Sequence, residues 1–321
     1  MPAAASSTHS LTTLARATAI AAVITQAGIA VTGSVVRVTG SGLGCPTWPQ
    51  CFPGSMVPEP HPGIAALHQW IEFGNRLLTG LVGVVGLACL VVAVAVRPRR
   101  RRLVLLAATM PLGVAAQAVL GGITVLTGLA WWTVTVHFLV SMVLVWLAVL
   151  LAAASTEGDA PARRHLPGPL RGLLRTAITV LAALLVAGTL VTSAGPHAGN
   201  TATPRLAVSV PTLAQLHADL LVGFLGLLAG LGFALRVVGV PARTWWRYAV
   251  LVCVVLAQGT LGVVQYLTGV PEVLVSLHVL GAASVVVAMA ALWTSCRTRD
   301  HVPVTGTTPN SPRSLASTGA G

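Results

Sequence analysis

The sequence predicts an all-α integral membrane protein, with eight transmembrane helices arranged as two tandem pseudo-symmetric four-helix bundles. Three observations carry this. Hydrophobic residues make up 55% of the 321 residues and charged residues only 8%, against roughly 25% charged in a soluble domain, and mean hydropathy is +0.85. Eight apolar runs reach the roughly 20 residues needed to cross a bilayer. The second half of the chain also echoes the first at a fixed offset.

The runs cover residues 11–33, 69–96, 103–126, 133–154, 173–194, 212–238, 246–268 and 274–296. The first is not read as a signal peptide, because it is long and no small-residue cleavage site precedes a soluble domain. The connections fix the orientation. All 19 basic residues are arginine, against 7 acidic residues, for a net charge of +12. Arg97, Arg99, Arg100, Arg101 and Arg102 separate runs two and three. Arg163, Arg164, Arg171 and Arg175 separate four and five. Arg236, Arg243 and Arg247 separate six and seven, and Arg16, Arg297, Arg299 and Arg313 flank the ends. Only Arg37 and Arg205 are expected in loops on the opposite side, with Arg76 inside a span. The positive-inside rule then places both termini in the cytoplasm of a multi-pass cell-membrane protein. Charge confined to short loops, rather than spread over a soluble face, excludes nucleic-acid binding as the explanation of the basic balance. The Pro-, Ser-, Thr- and Gly-rich tail, residues 298–321, reads as disordered.

The repeat is explicit. "AQAVLGGITVLTG" begins at Ala116 and "AQGTLGVVQYLTG" at Ala257, an offset of 141. Gln117 and Gln258 are each followed 20 residues later by a histidine, His137 and His278. A weaker echo pairs "GSVVRVTGSGLGC" from Gly33 with "GTLVTSAGPHAGN" from Gly188. The division that follows is residues 1–155, a cytoplasmic linker at 156–171, and residues 172–297, with both halves running in the same direction.

Polar groups recur at one depth in this frame. Asn75, His137, His217 and His278 lie a short way into the even-numbered spans, near the outer surface. Imidazole is an axial ligand of haem iron, and two facing helices of a bundle can hold the iron from both sides. The alternative is that each histidine hydrogen-bonds a neighbouring helix and binds nothing. A symmetry-repeated layer favours the ligand reading over a proton relay, which would run through the membrane as a chain.

In the first outer loop, Cys45 and Cys51 flank "PTWPQ". On the oxidising side of the membrane a disulfide between them is expected, either as a structural staple or as a redox-active pair near the site. Cys89, Cys253 and Cys296 are isolated and read as apolar filler.

The loop "GSVVRVTGSGLGCPTWPQC", the stretch "IEFGNRLL" from Ile71, the tandem repeat and the three histidines together resemble the haem A synthase family of bacteria and mitochondria. The likeness covers about residues 15–297. The resemblance implies oxidation of the C8 methyl of haem O to a formyl group, two hydroxylations giving a gem-diol that loses water. It implies haem b in the C-terminal half, with His217 and His278 as axial ligands of the iron. Haem O would occupy the N-terminal half as substrate, with His137 as one iron ligand. Glu72 matches the family's essential glutamate, and Cys45 and Cys51 its exofacial pair. Haem O synthase and cytochrome c oxidase assembly factors become the implied partners, alongside the lipid bilayer.

The chain departs from the family pattern at Asn75, where many members carry histidine. Three arrangements are open. His137 holds the substrate haem alone, leaving one face free; His68, seven residues earlier and on roughly the same helical face, replaces the ligand; or Asn75 hydrogen-bonds a ligand water. Glu72 shares the face of Asn75. It is expected near the substrate as proton acceptor or charge stabiliser; the alternative is that Glu72 and Arg76 only neutralise each other. Arg76 would pair with Glu72 or with a propionate. Asp219 is expected in a propionate network or a helix–helix hydrogen bond. Two functions from other classes remain beside the synthase: a bis-histidine membrane b-type cytochrome, and a haem carrier without chemistry.

Overall fold

The computed structural model describes residues 2–300, with side chains from Ser10 onward. Residues 301–321, and with them Arg313 and most of the tail expected to be disordered, lie outside the described residues. Eight helices follow in order: α1 Pro2–Val38, α2 Ala66–Ala95, α3 Arg101–Leu126, α4 Trp131–Thr156, α5 Gly168–Ala194, α6 Val210–Val238, α7 Ala242–Leu267 and α8 Glu272–Ser295. At about 1.5 Å per residue each exceeds the roughly 30 Å hydrocarbon thickness. All eight are long and apolar enough to cross a membrane. Each carries exposed apolar side chains, among them Ile24, Leu112, Phe233, Val237 and Leu267. Such a surface would be costly in water and is what lipid covers.

The helix ends follow local chemistry. Ser209 caps α6, accepting a hydrogen bond from the Thr212 amide, and Gly239 ends the same helix in the left-handed conformation. Pro169 and Pro211 occupy the first turns of α5 and α6, where a missing N–H costs nothing. Pro111 lies inside α3. It packs against Gly86 of α2, where an added Cβ would come within 3.1 Å of the proline nitrogen.

Helices α1 to α4 close on themselves, α1 against α2 and α4, and α3 against α2 and α4. Their core gathers small and apolar residues such as Ala19, Ala93, Ala107, Met110 and Leu151. The later helices pack as hairpins, α5 with α6 and α7 with α8, around Leu174, Phe224, Leu231, Leu251 and Met289. Contact between α6 and α7, and between α5 and α8, is sparse, so these two hairpins stand apart where the first four helices do not. Helix α8 also packs on α1 and α4, and Met142 and Val145 meet Ala283 and Val286 there.

The offset of 141 persists in the backbone. Leu129 and Val270 are the non-glycine residues with positive φ, at 62° and 61°, each just after a left-handed glycine, Gly128 and Gly269. Each closes its helix the same way: the Leu129 amide donates to Thr124 O and the Val270 amide to Gln265 O, both at 2.8 Å. A positive φ on a bulky or β-branched residue is costly, so the matched pair marks two copies of one turn.

Two expectations change. Arg37 lies in the last turn of α1 rather than in a loop. From there it donates to His197 O and Thr192 O, bridging to the second half. Arg297 and Thr298 are ordered, forming an antiparallel strand pair (β1 Arg163–Arg164, β2 Arg297–Thr298) with the α4–α5 connection. The carbonyls of Arg299 and Asp300 extend that contact, accepting from the amides of Gly158 and Ala160. The backbone groups of this segment are paired, which is why it does not behave as a free tail.

Candidate functional site

Three histidines occupy equivalent places. His137, His217 and His278 lie six, seven and six residues into α4, α6 and α8. Each ring rests over a glycine of the preceding helix. A Cβ added at Gly121, Gly188 or Gly262 would come within 3.4, 3.1 and 3.0 Å of Cε1 of His137, His217 and His278. Nδ1 of His137 and of His278 is buried without a hydrogen-bond partner. Nδ1 of His217 is likewise buried without a hydrogen-bond partner. Buried polar nitrogens left this way are rare and call for an explanation.

His217 and His278 face one another across the gap between the two hairpins, ring centroids 6.4 Å apart and planes at 61°. Two imidazoles bound on opposite sides of one metal, with bonds of about 2 Å, have centroids roughly 6 Å apart. The residues present therefore fit an iron held between them: matched spacing, orphaned ring nitrogens and glycines where side chains would intrude.

The first half differs. Asn75 stands at the position corresponding to His217, and its Oδ1 accepts a hydrogen bond from Thr32 Oγ1 at 2.7 Å. Gly33, the counterpart of Gly188, has nothing within 4 Å of an added Cβ. Among the described residues no aromatic ring pairs with His137. His68 is held elsewhere, its Nδ1 2.9 Å from Ser41 Oγ.

Sequence reasoning used Gln117 and Gln258 only as landmarks. The structure gives both a task. Nε2 of Gln117 donates to His137 O at 3.0 Å, and Nε2 of Gln258 donates to His278 O at 2.8 Å. Each fixes the backbone of a histidine from the neighbouring helix. The signal was in the constant 20-residue spacing, which is what two facing positions of a helical hairpin produce.

Beside the first-half site the outer loop folds onto α2. Cys45 and Cys51 are disulfide-bonded and fully buried, packed with Phe52, Ile64 and Phe73. Glu72, 5% exposed, spends both oxygens here. Oε2 accepts from the Cys45 amide at 2.7 Å, and Oε1 pairs with Arg76 at 2.5 Å. Arg76 also donates to the carbonyls of Cys45, Thr47 and Gln50. Arg76 thus pairs with Glu72 and the loop. The loop can lie this close only because residue 44 is glycine: a Cβ there would come within 2.3 Å of His68 O. Trp48 in turn covers Gly122 of α3. Asp219 is engaged within α6 rather than with another helix. It accepts from Gln215, one turn earlier on its own exposed helix face.

Residues 16–207 match the family model described as COX15-CtaA, cytochrome oxidase assembly protein. That stretch contains Cys45, Cys51, Glu72, Asn75, Arg76 and His137, and ends before His217 and His278. The chain is 30% identical over 135 residues to the heme A synthase of Geobacillus kaustophilus (41% of this chain, 40% of the relative). It is 30% identical over 154 residues to that of Alkalihalophilus pseudofirmus (47% and 49%). It is 33% identical over 143 residues to that of Lysinibacillus sphaericus (44% and 45%). These matches span less than half the length of each relative. With the family model covering more than half of the chain, and the glycine-cysteine loop and α2 carboxylate inside the match, the chain belongs to the COX15-CtaA family of cytochrome oxidase assembly proteins.

Proposed function

We propose that the protein is a membrane oxidoreductase, a haem A synthase, that oxidises the C8 methyl of haem O to a formyl group by successive hydroxylations. The observation that carries this reading is the His217–His278 pair, 6.4 Å apart with buried ring nitrogens, in a chain of this family. Haem b is the proposed resident cofactor of the C-terminal bundle, residues 172–297, and when bound it supplies one-electron redox chemistry. His217 and His278 are its proposed axial ligands. Gln258 holds the His278 backbone, and Gly188 and Gly262 keep the ring faces clear.

Haem O is the proposed substrate of the N-terminal bundle, residues 1–155, with His137 as its only imidazole. The hydrogen bond between Thr32 and Asn75 supports the arrangement with one open face. It engages the amide oxygen, and an amide is a poor iron ligand compared with imidazole. Glu72 is the proposed catalytic carboxylate, acting as a fixed negative charge beside this site. Arg76 and the Cys45 amide hold it in place, so it needs no reorganisation as positive charge develops. Residues 156–171 are the proposed cytoplasmic linker, both termini are proposed to be cytoplasmic, and haem O synthase and oxidase assembly factors are the proposed partners on either side of the reaction.

The test is expression with a haem O source followed by chromatography of the extracted haems. Haem A together with haem b is the expected result. Haem b alone in two low-spin sites would instead identify a membrane cytochrome. Unchanged haem O in the protein would identify a carrier.

A further inference from the structure

At the face opposite the disulfide loop, the strand pair β1–β2 closes a small cavity of about 120 Å³ whose lining includes Arg164, Arg171, Arg175, Arg297 and Arg299 and no carboxylate. Nε of Arg171, Arg297 and Arg299 is buried there with no hydrogen-bond partner. The acidic groups nearby pair with other arginines: Glu157 with Arg102 at 2.7 Å, Asp159 with Arg100 at 3.6 Å, where its Oδ1 makes no hydrogen bond, and Asp300 with Arg163 at 3.6 Å. Residues 301–321 contain no Asp or Glu that could neutralise the cluster. Several like charges around one buried space repel each other and leave guanidinium donors unmet, a cost that an anion would remove. Burial and the neighbouring guanidiniums of Arg102, Arg299 and Arg164 lower the Arg297 pKa, opposed by Glu157.

Arg297 also lines a second cavity of about 510 Å³, and there the wall changes character: Leu105, Leu106 and Leu150 stand beside Arg101, Arg102 and one carboxylate, Asp159. A charged recess that shares Arg297 with a leucine-walled groove between α3 and α4 matches a headgroup followed by acyl chains. We propose that this pair of cavities binds the phosphate of an anionic phospholipid, with the headgroup among Arg164, Arg171, Arg175, Arg297 and Arg299 and the chains along Leu105, Leu106 and Leu150. Basic recesses between transmembrane helices are suited to such headgroups. Free inorganic phosphate offers the same oxyanion to the arginines but gives no reason for the leucine wall.

The experiment is native mass spectrometry of the purified full chain in detergent, with phosphatidylglycerol, phosphatidylcholine or inorganic phosphate added separately at equal concentration. Phosphatidylglycerol is expected to be retained at least tenfold more strongly than phosphatidylcholine, with no retention of inorganic phosphate. R175Q, an exposed position, is expected to weaken phosphatidylglycerol binding about fivefold, and R171Q with R297Q about twenty-fivefold. If the double variant does not fold, R175Q decides. Equal retention of the two lipids, or undiminished binding by R175Q, overturns the proposal. Retention of inorganic phosphate as strong as that of phosphatidylglycerol overturns the lipid assignment and leaves a free-anion site.

Discussion

The backbone amide of Cys45 donates to Glu72 Oε2 at 2.7 Å, so the disulfide loop and the α2 carboxylate are one mechanical unit. Arg76 completes it by holding Glu72 and three loop carbonyls at once. Removing one partner of a buried pair leaves the other uncompensated, at a cost of about 3–5 kcal/mol. Glu72→Ala is expected to abolish haem A formation and leave the C-terminal haem b in place. Haem extraction and chromatography measure both together. Normal haem A from that variant contradicts the assigned role.

Asn75 is expected to be dispensable for chemistry. Asn75→Ala removes the bond from Thr32, worth about 1 kcal/mol, and in the proposed arrangement no iron ligand. Haem A yield is expected to stay within about twofold of the parent, while His137→Ala falls to background. Loss of product in Asn75→Ala of the same size as in His137→Ala would mean that the amide takes part directly.

The glycines under the rings give a graded series. An added Cβ comes within 3.0 Å of the His278 ring at Gly262 and within 3.4 Å of the His137 ring at Gly121. Gly262→Val is expected to displace His278 and to lower the haem b content of the purified protein severalfold. Gly121→Ala, under the His137 ring in the other half, is the control and is expected to leave haem b content unchanged. Equal haem b content in Gly262→Val and the parent argues against the ring lying where it does.

Cys296, just past the end of α8, is buried, and burial pushes its thiol up from 9.0 to about 11. The folded protein therefore keeps it protonated below about pH 9. Because the unfolded chain loses that proton first, the folded state is expected to lose stability as pH rises from about 9 towards 11. Maleimide labelling of the folded protein at pH 7.5 is expected to spare Cys296 and to reach it after unfolding. Rapid labelling of the folded protein at that pH would contradict the burial.

Much of this was legible in the sequence because membrane spans and repeats are written in composition and spacing. The eight runs fall within a few residues of the helices, except that α1 continues through Val38 and takes Arg37 with it. The matched Gln–His spacing marked the repeat, but not that each glutamine bonds the backbone of its histidine. What spacing could not carry is which side chain meets which. Glu72 and Arg76 were known to share a face, but not that their remaining bonds go to the backbone of a loop some 25–30 residues earlier. The ordering of Arg297 and Thr298 depends on a strand partner more than 130 residues away, and local composition gives no sign of that. Of the two readings of Asp219, the bond to another helix is replaced by one to Gln215 on its own helix face.

The proposed iron between His217 and His278 is open to low-temperature electron paramagnetic resonance of the purified protein. The expected result is a bis-imidazole low-spin ferric signal from haem b that disappears in both His217→Ala and His278→Ala, while His137→Ala keeps it. The same low-spin signal persisting in either of the first two variants would contradict the claim.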